Sequence, residues 1–144
     1  MAETVHMIDS EVFLAFSTYA TIVVLKMMLM SLMTSYFRLT KQNFSVECDG
    51  KHINGFMTRS LGECHLNDLE NIVPFVVIGL LYALTGPDLS MALLHFRVFV
   101  GSRFIHTVAY VMALPQPTRA LAFGVGLFIT FSMAYRVLTT ALFL

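Results

Sequence analysis

Four long apolar stretches most constrain what this chain can fold into. They cover about residues 12–37, 67–84, 90–113 and 118–143. Each is near the ~20 residues that a helix needs to cross the hydrocarbon core of a bilayer. Their apolar residues are continuous rather than alternating, and lipid offers the backbone no water to bond, so helices are favoured. The sequence predicts an all-α integral membrane protein: one domain over residues 1–144, folded as an antiparallel four-helix transmembrane bundle.

Composition supports the membrane class and excludes one kind of partner. Of the 144 residues, 57% are hydrophobic and 12% are charged, with a mean hydropathy of +0.75. A soluble domain this small cannot bury so much apolar surface, whereas membrane lipid can solvate it. The formal net charge is zero, which argues against a nucleic-acid partner because such proteins present a basic face.

The only long polar segment, residues 38–66, sets the predicted orientation. It holds Arg38, Lys41, Lys51 and Arg59, whereas the N-terminal tail and the Gly86-Pro87-Asp88 turn hold no Lys or Arg. Positive charge favours the cytosolic side of a membrane. We therefore expect a cytosolic loop over residues 38–66, with both termini on the opposite side.

Polar residues inside the apolar stretches gather at this cytosolic end. On the third stretch Arg103, His106 and Tyr110 are spaced i, i+3 and i+7, which places them on one helix face. Glu70 on the second stretch is a candidate ion-pair partner for Arg103. The same end of the bundle also receives Arg38, His65, Asn67, Asp68, Asn71 and Arg119.

Two interpretations of this cluster remain open at this point. The charges could be ion pairs that only hold the bundle together. The surplus of cations instead suits a small zwitterionic or anionic ligand. Lys26 lies in the middle of the first stretch and is expected to form a structural pair with another side chain. Arg97 and Arg136 lie near the far helix ends and are expected to extend towards the lipid headgroups. His65 and His106 have no third ligand at usable spacing, so no metal site is predicted.

Three motifs carry a resemblance to a known family. Residues 65–75 (HLNDLENIVPF), residues 95–110 (HFRVFVGSRFIHTVAY) and residues 114–121 (LPQPTRAL) resemble the MAPEG family of membrane-associated eicosanoid and glutathione enzymes. Residues 11–16 and 26–30 resemble its glutathione transferase branch in particular. The resemblance covers nearly the whole chain.

The resemblance implies a homotrimer that binds glutathione between subunits at the cytosolic side. The family's glutathione-binding positions correspond to Arg38, His65, Asn67, Glu70, Arg103, His106, Tyr110 and Arg119. Arginines suit the carboxylates of glutathione and Glu70 suits its ammonium group. We expect Arg119 to be catalytic, because a nearby cation favours the reactive thiolate. The implied location is the endoplasmic reticulum membrane, or the mitochondrial outer membrane.

The implied function is a glutathione transferase acting on lipophilic electrophiles, with glutathione-dependent peroxidase activity on lipid hydroperoxides. Glutathione is the co-substrate, and the second substrate arrives from the bilayer. One alternative is a glutathione-dependent prostaglandin E synthase, but that branch has a serine where this chain has Ala120. Another is a non-enzymatic scaffold that presents lipid, which would have little use for Arg119 and Glu70 together.

Two features depart from the family pattern. The first loop is shorter than usual, and Gly62-Glu63-Cys64 stands where the family usually has arginines, which predicts weaker glutathione binding. Cys48 is the candidate counterpart of a reactive regulatory cysteine; an ordinary cytosolic thiol is the equally simple interpretation.

Overall fold

The computed structural model describes residues 10–42 and 53–143. Within these ranges the chain forms four α-helices: α1 (Ser10–Gln42), α2 (Ile53–Leu84), α3 (Leu89–Val111) and α4 (Gln116–Leu142). The all-helical prediction is therefore confirmed for the described residues.

Three of the four described helices are long and apolar enough to cross a membrane, one fewer than the sequence analysis predicted. These spans are residues 11–40, 59–84 and 116–142. The exception is α3, whose mean hydropathy is lowered by His95, Arg97, Arg103 and His106. Of these four side chains only Arg97 is exposed on the single chain.

The first two helices are longer than their apolar stretches. The prediction began the second helix near residue 67 and placed residues 38–66 in a loop; in the structure α1 continues to Gln42 and α2 begins at Ile53. Hydropathy marks only the most apolar part of a helix, whereas backbone hydrogen bonding continues into the more polar segment before residue 67. There Arg59 donates to Glu63 at 3.0 Å, one helical turn further along α2.

Aromatic side chains form the core between the first three helices. The rings of Phe75 on α2 and Phe99 on α3 are stacked, with centroids 3.8 Å apart. Phe16 on α1 packs against Phe96 with centroids 5.7 Å apart. A Cβ added to Gly79 would lie 2.7 Å from Phe16 Cε2, so this close approach of α1 to α2 requires a glycine.

The end of α3 is fixed by a Schellman motif. The Leu114 N–H donates to the Ala109 carbonyl at 2.9 Å, and the Ala113 N–H donates to the Tyr110 carbonyl at 3.3 Å. Ala113 has a positive φ of 51°, a conformation that usually needs glycine. Pro115 follows as the N-cap of α4. This tight connection fixes where Arg119 lies, in the first turn of α4.

Candidate functional site

Arg103 joins three helices from inside the bundle. Its side chain on α3 is fully buried. One terminal nitrogen, Nη1, donates to Asn67 Oδ1 on α2 at 3.0 Å, and the other, Nη2, donates to the Ala122 carbonyl on α4 at 3.0 Å. The buried guanidinium, with its two directed hydrogen bonds, fixes the positions of α2 and α4 relative to α3.

Gly126 makes room for this arginine. A Cβ at Gly126 would lie 3.2 Å from Arg103 Nη2 and 3.1 Å from Ser102 Oγ. Gly124, two residues earlier, is exposed and would meet nothing within 4 Å. Of these two glycines, only Gly126 packs closely against other side chains in the single chain.

His106, Tyr110 and Arg119 form a second group next to Arg103. The His106 ring is buried, and its centroid lies 4.9 Å from that of Tyr110. The Cζ of Arg119 lies 4.6 Å from the Tyr110 ring centroid, a cation–π geometry that joins α4 to α3. The i, i+3, i+7 face predicted from the sequence thus contacts the arginine at the start of α4.

Several buried nitrogens at this end have no hydrogen-bond partner among the described residues. They are Nδ1 of His65, Nε of Arg103, Nδ1 of His106 and Nε of Arg119. Buried polar atoms are nearly always hydrogen-bonded, because leaving one unsatisfied costs about 1–3 kcal/mol. Their concentration at one end of the bundle marks a place where polar atoms of a ligand would be accommodated.

The predicted ion pair between Glu70 and Arg103 does not form. Glu70 is exposed on the outer face of α2, and within residues 10–42 and 53–143 it makes no ion pair. Arg103 instead bonds the amide of Asn67, one helical turn earlier, together with a backbone carbonyl. These two neutral acceptors each take one N–H of a terminal nitrogen, and no carboxylate of the described residues bonds the guanidinium.

Arg38 lies at the edge of the group. Its side chain is exposed near the end of α1, and its Nη2 would be 3.8 Å from a Cβ built on Gly62. The guanidinium therefore reaches across to α2 three residues before His65. Cys48, the candidate regulatory thiol, lies outside the described residues.

A buried ion pair between α1 and α2 lies close to this site. Lys26 on α1 bonds the carboxylate of Asp68 on α2, and both side chains are almost fully buried. This confirms the predicted structural pairing of Lys26. Lys26 bonds Asp68 Oδ2, and the other carboxylate oxygen, Oδ1, has no partner in the described part of the chain. Cys64, one turn before Asp68, is also buried, with its Sγ 3.9 Å from Thr107 Oγ1.

An apolar groove, which the sequence analysis missed, runs beside the polar group between α3 and α4. Its volume is about 460 Å³, and Val98, Ile105, Leu121 and Val125 are among its lining residues. Ala122 also lines it, and the carbonyl of the same residue accepts from Arg103. Such a groove forms only when two helices pack against each other. The small residues Gly101 and Ala122, which leave space between helices, are the signal in the sequence that could have indicated it.

The structure thus brings together five of the eight sequence-predicted ligand residues in two contacting sets. Asn67 with Arg103 is one set, and His106, Tyr110 and Arg119 form the other. His65 contributes a buried unpartnered nitrogen, whereas Arg38 and Glu70 are exposed on the single chain.

Known proteins resemble this chain along all or most of its length. The chain is 49% identical over 155 aligned positions to "Microsomal glutathione S-transferase 1" of Homo sapiens, with all of both chains covered. It is 50% identical to the protein of that name from Rattus norvegicus, again over the whole of both chains. "Prostaglandin E synthase" of Equus caballus is 35% identical over 142 positions, covering 94% of this chain and 93% of the relative.

The alignment with the human relative has eleven more positions than this chain has residues, so gaps in this chain occupy at least that many. The family pattern itself matches residues 16–139. Because that match covers most of the chain and the full-length relatives share about half of its residues, this chain belongs to the MAPEG family.

Proposed function

We propose that this protein is a membrane-bound glutathione transferase that conjugates glutathione to lipophilic electrophiles. The observation that carries the proposal is the group of buried nitrogens without partners, on His65, Arg103, His106 and Arg119, at one end of the bundle. Glutathione has two carboxylates, whose oxygens can accept hydrogen bonds at such a site. It also has a thiol, which can ionise to an anion beside the cationic side chains. The identity to relatives named microsomal glutathione S-transferase 1 along the whole chain supports the same reaction.

In this proposal Arg119 is the catalytic residue. The thiolate of glutathione is the nucleophile, and a guanidinium beside the sulfur stabilises it while remaining charged itself. The thiolate forms a carbon–sulfur bond to the electrophile, and the leaving group departs with the bonding electron pair. Asn67, Arg103, His106 and Tyr110 bind and orient the tripeptide, joined by Arg38, His65 and Glu70.

Lipid hydroperoxides are the second proposed class of substrate. Two glutathione molecules reduce one hydroperoxide to an alcohol and water and are themselves oxidised to the disulfide. The apolar groove between α3 and α4 supports a lipophilic second substrate, because its lining reaches Thr118, the residue before Arg119. A molecule dissolved in the bilayer can enter such a groove laterally.

The outer face of α2 supports the proposed homotrimer. Glu70 is exposed there among Leu66, Leu69, Val73 and Val77. A carboxylate on an apolar membrane-spanning face is costly in lipid. A second copy of the chain would cover this face and bring Glu70 to a neighbouring site. We also propose α3 as the fourth span of an antiparallel bundle in the endoplasmic reticulum or mitochondrial outer membrane, because its His95, Arg103 and His106 side chains are already buried within the single chain and need not face lipid.

Activity and binding measurements on the purified full-length protein test the proposal. We expect conjugation of a chloronitrobenzene, reduction of a lipid hydroperoxide, and glutathione binding by calorimetry in detergent. Arg97→Gln serves as the matched control, because this exposed arginine on α3 donates to the Tyr19 hydroxyl at 2.9 Å instead of joining the site. Absence of glutathione binding in the folded protein would refute the proposal.

Prostaglandin E synthase is the second candidate, because relatives of that name are 33–36% identical to this chain. Ala120 follows Arg119 here and has no hydroxyl to place beside the thiolate. Conversion of a prostaglandin endoperoxide faster than conjugation of a chloronitrobenzene would favour this alternative.

A further inference from the structure

A small polar cavity lies at the ends of three helices, away from the proposed glutathione site. Its volume is about 210 Å³, and its polar lining comes from Tyr82 on α2, Asp88 in the following turn, His95 on α3, and Ser132 and Arg136 on α4. The volume is below the ~300–1,000 Å³ that is usual for drug-sized ligands, so only a compact group fits.

Helix geometry separates this cavity from the glutathione site. His95 and His106 lie on the same helix, eleven residues apart. At 1.5 Å per residue this places them about 16 Å apart along α3. Asp88 precedes the first residue of α3, and Arg136 is in the last two turns of α4. The cavity therefore lies at the opposite end of the bundle, where helices leave the hydrocarbon core.

The hydrogen bonds of His95 fix the chemistry of the cavity wall. Nδ1 lies 2.7 Å from the Met91 carbonyl oxygen, which can only accept, so Nδ1 carries the proton. In the neutral ring Nε2 is then an acceptor, and the Ser132 hydroxyl 3.0 Å away donates to it. Ser132 Oγ is left with lone pairs, so it offers an acceptor to the cavity.

Three further polar groups around the cavity have bonding capacity left. Within the described part of the chain, the Tyr82 hydroxyl and the Arg136 guanidinium have no side-chain hydrogen bond, and Arg136 has no ion pair. Asp88 is exposed, and hydrogen bonds from the Ser90 hydroxyl and the backbone lower the pKa of its carboxyl group. The carboxylate is thus ionised at neutral pH. The cavity presents one cation and one anion that are not paired with each other.

The geometry points to a binding site for the headgroup of a phosphatidylethanolamine-type lipid. Arg136 and the Tyr82 hydroxyl donate to the phosphodiester oxygens. The carboxylate of Asp88 and Ser132 Oγ accept from the primary ammonium group. The acyl chains extend along the apolar outer surface, where Met91 at the rim of the cavity is exposed.

The two charges select among lipids. A phosphocholine headgroup has the same phosphate and positive charge, but its quaternary nitrogen has no N–H to donate to Asp88 or Ser132. A purely anionic headgroup would use Arg136 and meet the Asp88 carboxylate unfavourably. The predicted order of affinity is therefore ethanolamine above choline and above glycerol headgroups.

Native mass spectrometry of the delipidated full-length protein in detergent tests this site. It is titrated with phosphatidylethanolamine, phosphatidylcholine and phosphatidylglycerol of identical acyl chains. We expect ethanolamine lipid to bind about tenfold more tightly than choline lipid, as charged hydrogen bonds of this kind allow. Asp88→Asn should reduce this preference, because it removes the anionic acceptor for the ammonium group. Arg136→Gln and Tyr82→Phe should each weaken binding of both lipids, because they remove contacts with the phosphate. Arg97→Gln, which removes an exposed arginine elsewhere on the surface, should preserve both the affinity and the preference.

Three outcomes would overturn the inference. The first is equal affinity of the wild-type protein for ethanolamine and choline lipids, a result that requires no variant. The second is the same loss of lipid in Arg97→Gln as in Arg136→Gln, which would indicate general attraction of headgroups to surface arginines. The third is displacement of the lipid by an equal concentration of soluble phosphoethanolamine, which would assign the cavity to a soluble ligand.

Discussion

The guanidinium of Arg119 lies over the ring of Tyr110, with its Cζ 4.6 Å from the ring centroid. This contact joins the first turn of α4 to the last turns of α3. An aromatic face orients a guanidinium without consuming its hydrogen-bond donors. Arg119 is thereby held in place at the proposed site, while its buried Nε has no hydrogen-bond partner among residues 10–42 and 53–143.

Replacing Arg119 by leucine should slow conjugation and shift its pH dependence. A free thiol has a pKa near ~8.5, and a cation within ~4–6 Å lowers such a pKa by ~1–3 units. Without Arg119 the pKa of the thiol of bound glutathione should rise. The pH profile of kcat should therefore move to higher pH, and turnover at pH 7 should fall about tenfold or more. Thiolate absorbance of bound glutathione should fall in parallel. An unshifted profile with normal turnover would remove Arg119 from the mechanism.

Two substitutions of Tyr110 separate its ring from its hydroxyl group. Tyr110→Phe keeps the aromatic face under Arg119, whereas Tyr110→Leu removes it. A cation–π contact is worth about 0.5–2 kcal/mol, so the leucine variant should lose kcat several-fold more than the phenylalanine variant. The pH profile of kcat for each variant checks this. Equal losses would assign the role of Tyr110 to its hydroxyl group instead.

Gly126→Ala and Gly124→Ala form a matched pair on α4. The new Cβ at Gly126 would press on Arg103, which cannot retreat without stretching its bond to Asn67 or to the Ala122 carbonyl. We expect a lower melting temperature and weaker glutathione binding. At Gly124 alanine meets nothing and should stabilise the helix by up to ~1 kcal/mol. Similar effects of both changes on melting and on calorimetric affinity would contradict this role of Gly126.

Removing one partner of the buried pair of Lys26 and Asp68 should reduce the stability of the protein more than removing both partners. Lys26→Met leaves the Asp68 carboxylate buried without its cation, which should cost about 3–5 kcal/mol of stability. Adding Asp68→Leu removes the stranded charge and should restore most of that loss. Unfolding of the single and double variants in detergent measures the coupling. Additive effects would show that the pair contributes no interaction of its own.

Ala113→Gly should stabilise the protein. Ala113 has a φ of 51° in the Schellman motif that ends α3. The left-handed conformation costs a non-glycine residue roughly 1–2 kcal/mol, and the greater freedom of glycine in the unfolded chain offsets part of this gain. We expect a net gain of about 0.5–1 kcal/mol, seen as a higher melting temperature. A lower melting temperature would contradict the strain assigned to Ala113.

The sequence predicted which polar residues lie together better than it predicted the contacts between them. The i, i+3, i+7 spacing of Arg103, His106 and Tyr110 was sufficient to place them on one face, because helix geometry alone fixes that relation. It was not sufficient to choose the partner of Arg103. Glu70 and Asn67 lie one turn apart on α2, and the choice depends on how α2 is rotated about its own axis.

The sequence by itself determined that the described residues form four helices, and which polar residues share a helix face. These properties follow from the chemistry of single segments: lipid requires internally bonded backbone, and periodicity assigns side chains to faces. Only the tertiary structure decided that Arg103 bonds Asn67 and a backbone carbonyl, that Lys26 pairs with Asp68, and that Arg119 stacks on Tyr110. Such pairings depend on the relative rotation and depth of neighbouring helices, which the packing of the whole bundle sets and no single helix encodes.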